Sequence, residues 1–441
     1  MTSRHFFMLS ITLMLTATHA QTLPFDKIDA FKKDCWSQYL KKITEDPQRQ
    51  KEMAESAIPY KDSVMKFALY QIGDEPEGGY PLYIALHGGG GTAPEVNDSQ
   101  WEHMKIYYKS SVKCGIYVAT RGVTNTWNLH CVANSYPLYD RLIENCIAFK
   151  HVNPNRVYVL GYSAGGDGVY QIASRMSDRF AAANMSAGHP NGISVNNLAN
   201  LPFLIQLGAN DGAYNRNKQA VEYTQRLDAM ANLHPGLFPH RLHLHADRSH
   251  GFHDNIPDIV PQTIIVDYNG WLAEKERLPR ESIDPNAIRW LDRYTRNPIP
   301  QHVFWDLSNI ADSRVADGKE DAKTYAQFYW LEYSGEKWEE SGTKVIEALY
   351  NKMHNSVTLR HPANTMRILL NRDMLDLAKP IHLIIDDSFQ RDIAVTPNET
   401  TIRSTLETRG DPAFMFEAEI NIRKTNDTYD VAPTVPTVEK N

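Results

Sequence analysis

The alternation of apolar and polar positions divides residues 63–245 into short apolar runs and longer amphipathic ones. The short runs are rich in β-branched and aromatic residues and predict strands at 63–72, 80–86, 115–120, 156–160, 181–186, 202–207 and 240–245. Helical spacing of apolar residues is found at 136–151, 166–179 and 217–231, and 25–56 is charged and helix-like. Because strands and helices alternate, we expect an α/β fold built on a mostly parallel sheet with helices on both faces.

A dense turn signal separates the first two predicted strands. Residues 73–79 read Gly-Asp-Glu-Pro-Glu-Gly-Gly, a composition that is typical of turns. The runs at 63–72 and 80–86 are therefore expected to pair with each other as a hairpin at the entry to the sheet.

The pattern changes after residue 296, where Pro298 and Pro300 interrupt the chain. Beyond them, short strand-like runs follow one another with little helix, at 302–305, 327–331, 357–360, 366–370, 381–385, 401–406 and 414–422. Many short strands at short intervals predict a smaller all-β, sandwich-like domain. We therefore divide the chain into an α/β domain at 21–295, a β-rich C-terminal domain at 296–424 and a polar, disordered tail at 425–441.

The first twenty residues have the pattern of a secretory signal peptide. An apolar run at 6–17 follows a basic start and precedes Thr18-His19-Ala20, with small residues where a signal peptidase cleaves. The run is too short to span a bilayer, although an N-terminal anchor is the alternative reading. We expect cleavage after Ala20, a secreted or periplasmic protein, and no membrane span in the mature chain.

Charge and cysteine content narrow the possible partners. The net charge is −7 and no Lys/Arg cluster stands out, which argues against nucleic acid as a partner. Four cysteines occur, at Cys35, Cys114, Cys131 and Cys146, and their spacing fits neither a zinc nor a redox pair. They are expected either to form up to two disulfides, with three connectivities open, or to remain free thiols.

The clearest chemical signal is Gly161-Tyr162-Ser163-Ala164-Gly165, placed between a predicted strand and a predicted helix. In the tight turn that joins the two elements, side chains two residues before and two residues after the serine would clash, and glycine removes both clashes. Ser163 would then be held in strained geometry with its hydroxyl exposed, at a helix N-terminus that favours negative charge. This context predicts a nucleophile; a glycine-rich turn with an idle serine is the alternative.

A second glycine run, His87-Gly88-Gly89-Gly90-Gly91, follows the strand at 80–86. Attack on a carbonyl creates an oxyanion that preorganised N–H groups must meet, and glycine lets the backbone approach it. We expect the oxyanion hole to comprise Ala164 and the loop residues Gly88 and Gly89, with the N–H of Gly90 a further candidate. A flexible loop or a phosphate cradle is the alternative, but a phosphate loop would carry a lysine, which this run lacks.

A nucleophilic serine needs a base and an acid that orients the base. Asp211 follows the strand at 202–207, at the sheet edge where ligands gather, and is preferred to Asp167 in the first turn of the helix after Ser163. His250 lies in a loop after the strand at 240–245 and is preferred to His253. Three further residues are set aside: Asp247 is too close in sequence to the histidines, and His243 and His245 alternate within the strand as packing or surface residues.

Other residues follow strands at the same edge and are candidates for the substrate pocket. The main ones are Arg121, Trp127, His189 and Tyr214, and a structural role is at least an equal alternative for each. Their neighbours Pro190, Asn191, Asn215 and Arg216 are candidates on the same terms. The predicted chemistry requires no metal ion and no organic cofactor.

The motifs at 161–166, 87–90 and 249–252 together resemble those of the α/β-hydrolase superfamily over about the first 280 residues. Within it the chain is similar to bacterial secreted esterases, including carbohydrate esterases and polyester depolymerases, and more remotely to the prolyl-oligopeptidase catalytic domain. The resemblance implies an α/β-hydrolase catalytic domain with Ser163 as nucleophile, His250 as base and Asp211 as acid. No matching family is evident for the β-rich domain.

The sequence therefore predicts a secreted serine esterase that forms an acyl-enzyme on Ser163. Its expected partner is an ester substrate, with an acylated polysaccharide or another polymer as the candidate that the β-rich domain suggests. Two alternatives stay open at this point. One is a serine peptidase of prolyl-oligopeptidase type, and the other is a non-catalytic polysaccharide-binding protein on a hydrolase scaffold.

Overall fold

The structure is a computed structural model that describes residues 22–309, 326–333, 345–425 and 428–434 of the 441-residue chain. The predicted signal peptide at 1–20 lies outside the described residues. Among the residues that the structure describes, no helix has the length and apolarity that a bilayer span requires. The four cysteines are free thiols, with Cys35 and Cys146 buried.

A ten-stranded sheet organises the first part of the chain. Its strands are β1 (Ala57–Tyr60), β2 (Ser63–Ile72), β3 (Tyr80–Leu86), β4 (Gly115–Thr120), β5 (Val152–Tyr162), β6 (Ala182–Ser186), β7 (Phe203–Gly208), β8 (His240–His245), β9 (Gln262–Ile265) and β10 (Arg280–Ile283). The spatial order is β1-β2-β4-β3-β5-β6-β7-β8-β9-β10. The strands β4, β3, β5, β6, β7 and β8 are parallel, and the pairs at both edges are antiparallel.

Helices cover both faces of this sheet, as predicted. They are α1 (Ile28–Glu45), α2 (Pro47–Glu55), α3 (Pro94–Tyr107), α4 (Ser135–Lys150), α5 (Ala164–Arg175), α6 (Arg216–Leu233), α7 (Tyr268–Leu272) and α8 (Ala287–Leu291). Side chains alternate across each strand, so Val157 and Val159 of β5 join the core with α4, α5 and α6, while Tyr158 and Leu160 join the core with α3 and α8. The central strands are buried on both faces, and the candidate site lies at their ends.

Two five-stranded sheets form the second part of the chain, in agreement with a smaller β region. One has the order β11-β14-β15-β17-β18 and the other β12-β13-β16-β19-β20. Their strands are β11 (His302–Trp305), β12 (Gln327–Phe328), β13 (Leu331–Tyr333), β14 (Ile346–Asn351), β15 (Ser356–Arg360), β16 (Thr365–Leu370), β17 (Ile381–Ile385), β18 (Phe389–Ile393), β19 (Ala418–Thr425) and β20 (Thr428–Pro433). A helix, α9 (Glu399–Arg409), is inserted before β19.

The entry hairpin was predicted wrongly. The strands β2 and β3 lie in the same sheet, but β4 inserts between them and pairs with both. The hairpin at this edge joins β1 to β2 instead, with Tyr60 opposite Ser63. The turn signal at 73–79 therefore redirects the chain without pairing the strands on its two sides.

Two corrections concern the C-terminal part. The run at 401–406, predicted as a strand, is the middle of α9, because Asn398 caps the first turn by accepting from the N–H of Thr401 (2.8 Å) and Gly410 ends the helix at a φ of +58°. Residues 428–433 of the predicted disordered tail form strand β20, which pairs with β19, and residues 435–441 lie outside the described residues. The β-branched composition of 401–406 indicated a strand, but the two helix caps override it.

Candidate active site

The carboxyl ends of the parallel strands meet at one edge of the large sheet, and the predicted site residues follow them there. Ser163 comes directly after β5, and Gly88 comes two residues after β3. Asp211 and His250 follow β7 and β8, in the loops that lead away from the sheet. Residues up to 162 positions apart in the chain are thus brought to one place by the strand order.

The turn at Ser163 has the strained geometry that the sequence predicts. Ser163 has a φ of 59° and a ψ of −120°, and its N–H donates to the carbonyl of Ser186 (2.9 Å). A Cβ on Gly161 would lie 2.5 Å from the carbonyl oxygen of Gly165, and a Cβ on Gly165 would lie 2.1 Å from that of Leu86. Glycine is therefore required on both sides of the serine, and the helix α5 starts at the next residue.

Ser163, His250 and Asp211 form a continuous hydrogen-bonded chain. The Nε2 atom of His250 lies 3.0 Å from Oγ of Ser163, and its Nδ1 atom lies 2.7 Å from Oδ2 of Asp211. The Asp211 side chain is 2% exposed, whereas the His250 side chain is 44% exposed. A histidine that is bonded on both ring nitrogens is held in one orientation, with one nitrogen on the serine and the other on a buried carboxylate.

The alternative acids stand elsewhere. Asp167 accepts from the N–H of His189 (2.7 Å) and does not bond to His250. Burial raises the pKa of Asp167 to about 6, although the His189 N–H and the nearby Arg216 oppose that rise. Asp247 is an exposed side chain that pairs with Arg280 (3.0 Å).

The alternative bases are excluded by position as well. His253 is exposed and has no bond to Ser163. His243 and His245 are buried beneath the sheet edge, where both lie within hydrogen-bond distance of Oε1 of Gln206. Burial lowers their pKa values to about 3 and about 4, so both rings are neutral packing groups.

The glycine loop after β3 is fixed by a buried histidine. Nε2 of His87 accepts from the N–H of Gly122 (3.1 Å), so its Nδ1 carries the proton and donates to the carbonyl of Gly88 (2.5 Å). Burial lowers the pKa of His87 to about 4, which keeps this ring neutral. Because the peptide is trans, fixing the Gly88 carbonyl also aims the N–H of Gly89 in the opposite direction.

Three backbone N–H groups are candidates for binding an oxyanion, and a fourth is excluded because it already donates a hydrogen bond. The ideal Cβ of Gly88 would lie 3.4 Å from Cβ of Ser163, so the loop is in van der Waals reach of the serine. Ala164 is the first residue of α5, where the N–H has no partner within the helix. The N–H of Gly90 is already used, since it donates to Oδ1 of Asn97 (2.9 Å). Gly88, Gly89 and Ala164 therefore remain as the candidates.

Two residues that the sequence did not single out hold the loop that carries His250. The hydroxyl of Tyr162 donates to the carbonyl of His250 (2.7 Å) and accepts from the N–H of Phe252 (3.1 Å). Asp254 is completely buried and accepts from the hydroxyls of Tyr108 (2.8 Å) and Ser186, and burial raises its pKa. The position of Tyr162 inside the serine motif was the only sequence signal for either of them.

Two cavities lie near the predicted site, and Ser163 lines one of them. That cavity, of 530 Å³, is lined by Ser163, His250 and Gly88 together with Tyr107 and Phe252. The other, of 620 Å³, is lined by predicted pocket residues that include Trp127, His189 and Tyr214. Its wall adjoins the glycine loop, because the ideal Cβ of Gly90 lies 2.9 Å from the Trp127 ring and 3.5 Å from Cβ of Ala164.

Arg121, another predicted pocket residue, lines neither of these cavities. Its guanidinium is consumed by Asp98 (2.8 Å), by Asn125 (2.6 Å) and by the carbonyl of Gly122 (2.8 Å). Arg121 thus braces the loop that follows β4, which is the structural alternative named for it.

One group of side chains within the described ranges could hold a metal ion, and it lies away from Ser163. His234, His302 and Glu347 bring one ligand atom each to within 4.8 Å of one another. Two of these atoms already bond to each other, Nε2 of His302 and Oε1 of Glu347 (2.8 Å), and Arg360 pairs with Glu347 (3.2 Å). This neighbouring cation and the existing bond oppose a metal ion at that place.

No family model and no curated protein sequence matches this chain. Among solved structures it is similar to a thermostable esterase (17% identity, 54% of this chain and 63% of that chain, TM-score 0.37). It is also similar to LpqC, a poly(3-hydroxybutyrate) depolymerase from Bordetella parapertussis (17% identity, 56% and 99% covered, TM-score 0.38), and to a ferulic acid esterase (16% identity, 44% and 90% covered, TM-score 0.33).

The fold is assigned from the chain's own topology. The central strands run β1-β2-β4-β3-β5-β6-β7-β8, the serine turn joins β5 to α5, and the three polar residues follow in the order Ser163, Asp211, His250. This order of the three residues and this turn between a strand and a helix are characteristic of the α/β-hydrolase fold. The protein has the α/β-hydrolase fold, followed by a smaller region of two β-sheets.

Proposed function

We propose that this protein is a serine hydrolase that cleaves carboxylic ester bonds through Ser163, His250 and Asp211. The observation that carries the proposal is the hydrogen-bonded chain from Oγ of Ser163 through both nitrogens of His250 to the buried Asp211 carboxylate. A serine hydroxyl is a weak nucleophile, and a base within hydrogen-bond reach is what activates it.

In the first half of the reaction, Oγ of Ser163 attacks the ester carbonyl carbon while its proton passes to Nε2 of His250. Asp211 stabilises the imidazolium that forms and keeps its ring in position. The carbonyl oxygen becomes an oxyanion and binds to N–H groups among Gly88, Gly89 and Ala164, at the positive end of α5. His250 then gives its proton to the alkoxide, and the alcohol leaves.

In the second half, water attacks the acyl-enzyme and His250 accepts its proton. The tetrahedral intermediate breaks the bond to Oγ, the proton returns from His250 to Ser163, and the carboxylic acid product leaves. The side chain of His250 is 44% exposed, so water reaches it without a movement of the loop. The residues of the triad supply every proton transfer in this cycle, and Gly88, Gly89 and Ala164 supply the electrostatic stabilisation.

The charges around Ser163 favour an ester over a peptide with a free amino terminus. An amine subsite needs unpaired carboxylates, and the larger cavity has Arg175 and Arg216 in its lining against the one carboxyl group of Asp167. A cationic amine would be repelled there. A polymer as the natural substrate and export from the cell both stay predictions from the sequence.

The test is a panel of short 4-nitrophenyl esters, matched 4-nitroanilides and peptides, with binding to acetylated glycans measured in parallel. We expect the esters to be hydrolysed, and Ser163→Ala to abolish that hydrolysis. Cleavage of anilides or peptides without cleavage of esters would replace the proposal by a peptidase. Binding of a glycan by folded protein that cleaves nothing would replace it by a binding protein.

A further inference from the structure

One buried arginine beside the triad has no use in the reaction described above. Arg216 is the first residue of α6, five positions after Asp211, and is 8% exposed. Of the described residues, none accepts a hydrogen bond from its guanidinium, and its Nε atom is fully enclosed without a partner. The nearest carboxylate contact, Oδ1 of Asp211, is 3.9 Å from Nη1 and exceeds hydrogen-bond length.

The second arginine of the same cavity, in contrast, has hydrogen-bond acceptors within the protein. Arg175 donates to the carbonyl of Asn309 (2.6 Å), to Oε1 of Gln171 (2.5 Å) and to the hydroxyl of Tyr136 (3.2 Å). Both arginines line the 620 Å³ cavity, but only Arg175 is held by the protein. A buried charge that lacks partners is costly, and such groups in native proteins call for an explanation.

The carboxyl groups near Arg216 are committed to other partners. Asp211 accepts from Nδ1 of His250 (2.7 Å). Asp167 accepts from the N–H of His189 (2.7 Å) and from the side-chain amide of Asn191 (3.4 Å). The cavity therefore contains a guanidinium group that has no hydrogen-bond acceptor among the described residues. A planar carboxylate can bind such a group with two parallel hydrogen bonds.

Aromatic rings complete this cavity. Trp127 and Tyr214 lie edge to face with their centroids 5.9 Å apart, and 57% and 64% of these two residues is exposed. The Tyr214 ring also lies 4.8 Å from the Arg216 guanidinium. Exposed aromatic surface beside a cation suits a flat or ring-shaped organic group that carries negative charge.

We propose that this cavity is a substrate subsite in which Arg216 binds a carboxylate group of the ester, with its ring or chain against Trp127 and Tyr214. The substrate class is thus an ester with a free carboxylate on its acyl part or on its alcohol part. The proposal rests on the function proposed above, because it names the substrate of the same site. Arg216 acts here as a specificity-determining residue.

Matched ester pairs measure the preference. Mono(4-nitrophenyl) adipate against 4-nitrophenyl hexanoate places the carboxylate on the acyl side, and 3-acetoxybenzoate against 3-acetoxybenzamide places it on the alcohol side. In one of the two pairs we expect the wild type to favour the anionic ester in kcat/KM. Arg216→Gln should lower that ratio at least about tenfold, the loss of one charge-assisted pair. The ratio cancels any change that the variant makes in the triad itself.

Arg248→Gln is the matched control, because Arg248 is an exposed arginine that lines the 530 Å³ cavity, which contains Ser163, and not the 620 Å³ cavity. The control should leave the ratio of each pair unchanged. An equal fall in both variants would assign the preference to overall charge and overturn the proposal. A wild type with no preference in either pair would overturn it as well.

A binding measurement separates this proposal from the hydrolase assignment. Folded Ser163→Ala protein, which needs no catalysis, is titrated calorimetrically with benzoate and with the neutral isostere benzamide. We expect binding of benzoate over benzamide, and loss of that difference when Arg216→Gln is added. Ester hydrolysis without this difference would overturn the carboxylate subsite alone, and the difference without hydrolysis would overturn the proposed reaction alone.

Discussion

At the scale of single residues, the reaction depends on how Asp211 holds His250. The carboxylate is buried and its Oδ2 atom lies 2.7 Å from Nδ1 of His250. Asp211→Asn keeps the shape of the side chain but presents the wrong group to the ring, so the tautomer with a free Nε2 is no longer favoured. We expect kcat for a short ester to fall about 10³- to 10⁴-fold, the size seen for such replacements elsewhere.

The control for that prediction is Asp247→Asn, since Asp247 is exposed and pairs only with Arg280. Its kcat should stay within about twofold of the wild type. If kcat of Asp211→Asn falls by less than tenfold, the proposed role of Asp211 is contradicted. Thermal unfolding followed by circular dichroism verifies that both variants are folded.

The raised pKa of Asp167 predicts how the free energy of unfolding depends on pH. Burial raises its folded pKa to about 6 from an ordinary value of 3.8, so the folded state binds the proton more tightly than the unfolded state. The cost of ionising Asp167 is therefore absent below about pH 4 and develops as the pH rises to about 6. Asp167→Asn removes that cost and keeps an oxygen for the His189 N–H.

Relative to the wild type, the free energy of unfolding of Asp167→Asn should therefore increase between pH 4 and pH 6, by at most about 3 kcal/mol. Urea titrations at several pH values measure the difference, in which other carboxyl groups cancel. A difference that is constant with pH, or that decreases as the pH rises, would contradict the raised pKa.

The residues with a position-specific motif could be predicted from the sequence, and those with only a spatial partner could not. Ser163 is marked by its two glycines, and Asp211 and His250 by their places after strands. Asp254 carries no motif and was not predicted, and Arg216 was named only as one of several pocket candidates, because the importance of both comes from what the fold puts around them. The contacts of Arg121 could not be predicted for the same reason, since its partner Asp98 lies on a helix that the sequence pattern did not show.

At the scale of elements, the loop after β8 must hold His250 against Ser163. The Tyr162 hydroxyl bonds to two backbone groups of that loop, at His250 and Phe252. Tyr162→Phe deletes both bonds and keeps the ring packed. We expect kcat to fall about tenfold while the free energy of unfolding falls by about 1–2 kcal/mol, the net worth of two hydrogen bonds.

Tyr158→Phe serves as the comparison, because Tyr158 lies on the same strand and its hydroxyl bonds to the carbonyl of Tyr294 (2.8 Å) away from the loop. This variant should lose similar stability and keep its kcat. Equal kcat values for the two variants would show that the loop does not depend on Tyr162.

Strands and helices could be predicted where a buried, apolar run is bounded by turn residues. The strands β2, β3, β4 and β8 have the bounds that the apolar runs predict. The helix α3 was not predicted, because its fourteen residues include only two buried ones, Asn97 and Met104, and show little periodicity. The strand β10 is polar and largely exposed, so it lacked the apolar signal altogether. The hairpin error shows a different limit, because strand order is decided by packing of the whole sheet.

At the scale of the whole molecule, buried ion pairs join the α/β part to the β part. Arg409 of α9 bonds to Asp178 (2.7 Å), and Arg179 pairs with Asp411 (3.6 Å), with each of the four side chains at most 2% exposed. The domain boundary predicted near 296 therefore runs through a buried network of charges. The predicted division into domains stays a prediction, but the two parts share their core contacts.

Removing one member of such a pair leaves the other buried and uncompensated. We expect Arg409→Met to lower the free energy of unfolding by about 3–5 kcal/mol, because among the described residues of the β part Asp178 then keeps the N–H of Tyr329 as its one hydrogen-bond donor. Arg403→Met, on the exposed face of the same helix, should cost less than about 1 kcal/mol. Similar costs in urea unfolding for both variants would show that the buried pair does not join the two parts.

The central claim is that Ser163 is an activated nucleophile with His250 as its base. Its most direct test is labelling of folded protein by a fluorophosphonate probe, with the labelled peptide identified by mass spectrometry, for the wild type, Ser163→Ala and His250→Ala. We expect label on Ser163 in the wild type and in neither variant. Folded wild-type protein that takes no label, or equal labelling after His250→Ala, would show that Ser163 is not activated by His250.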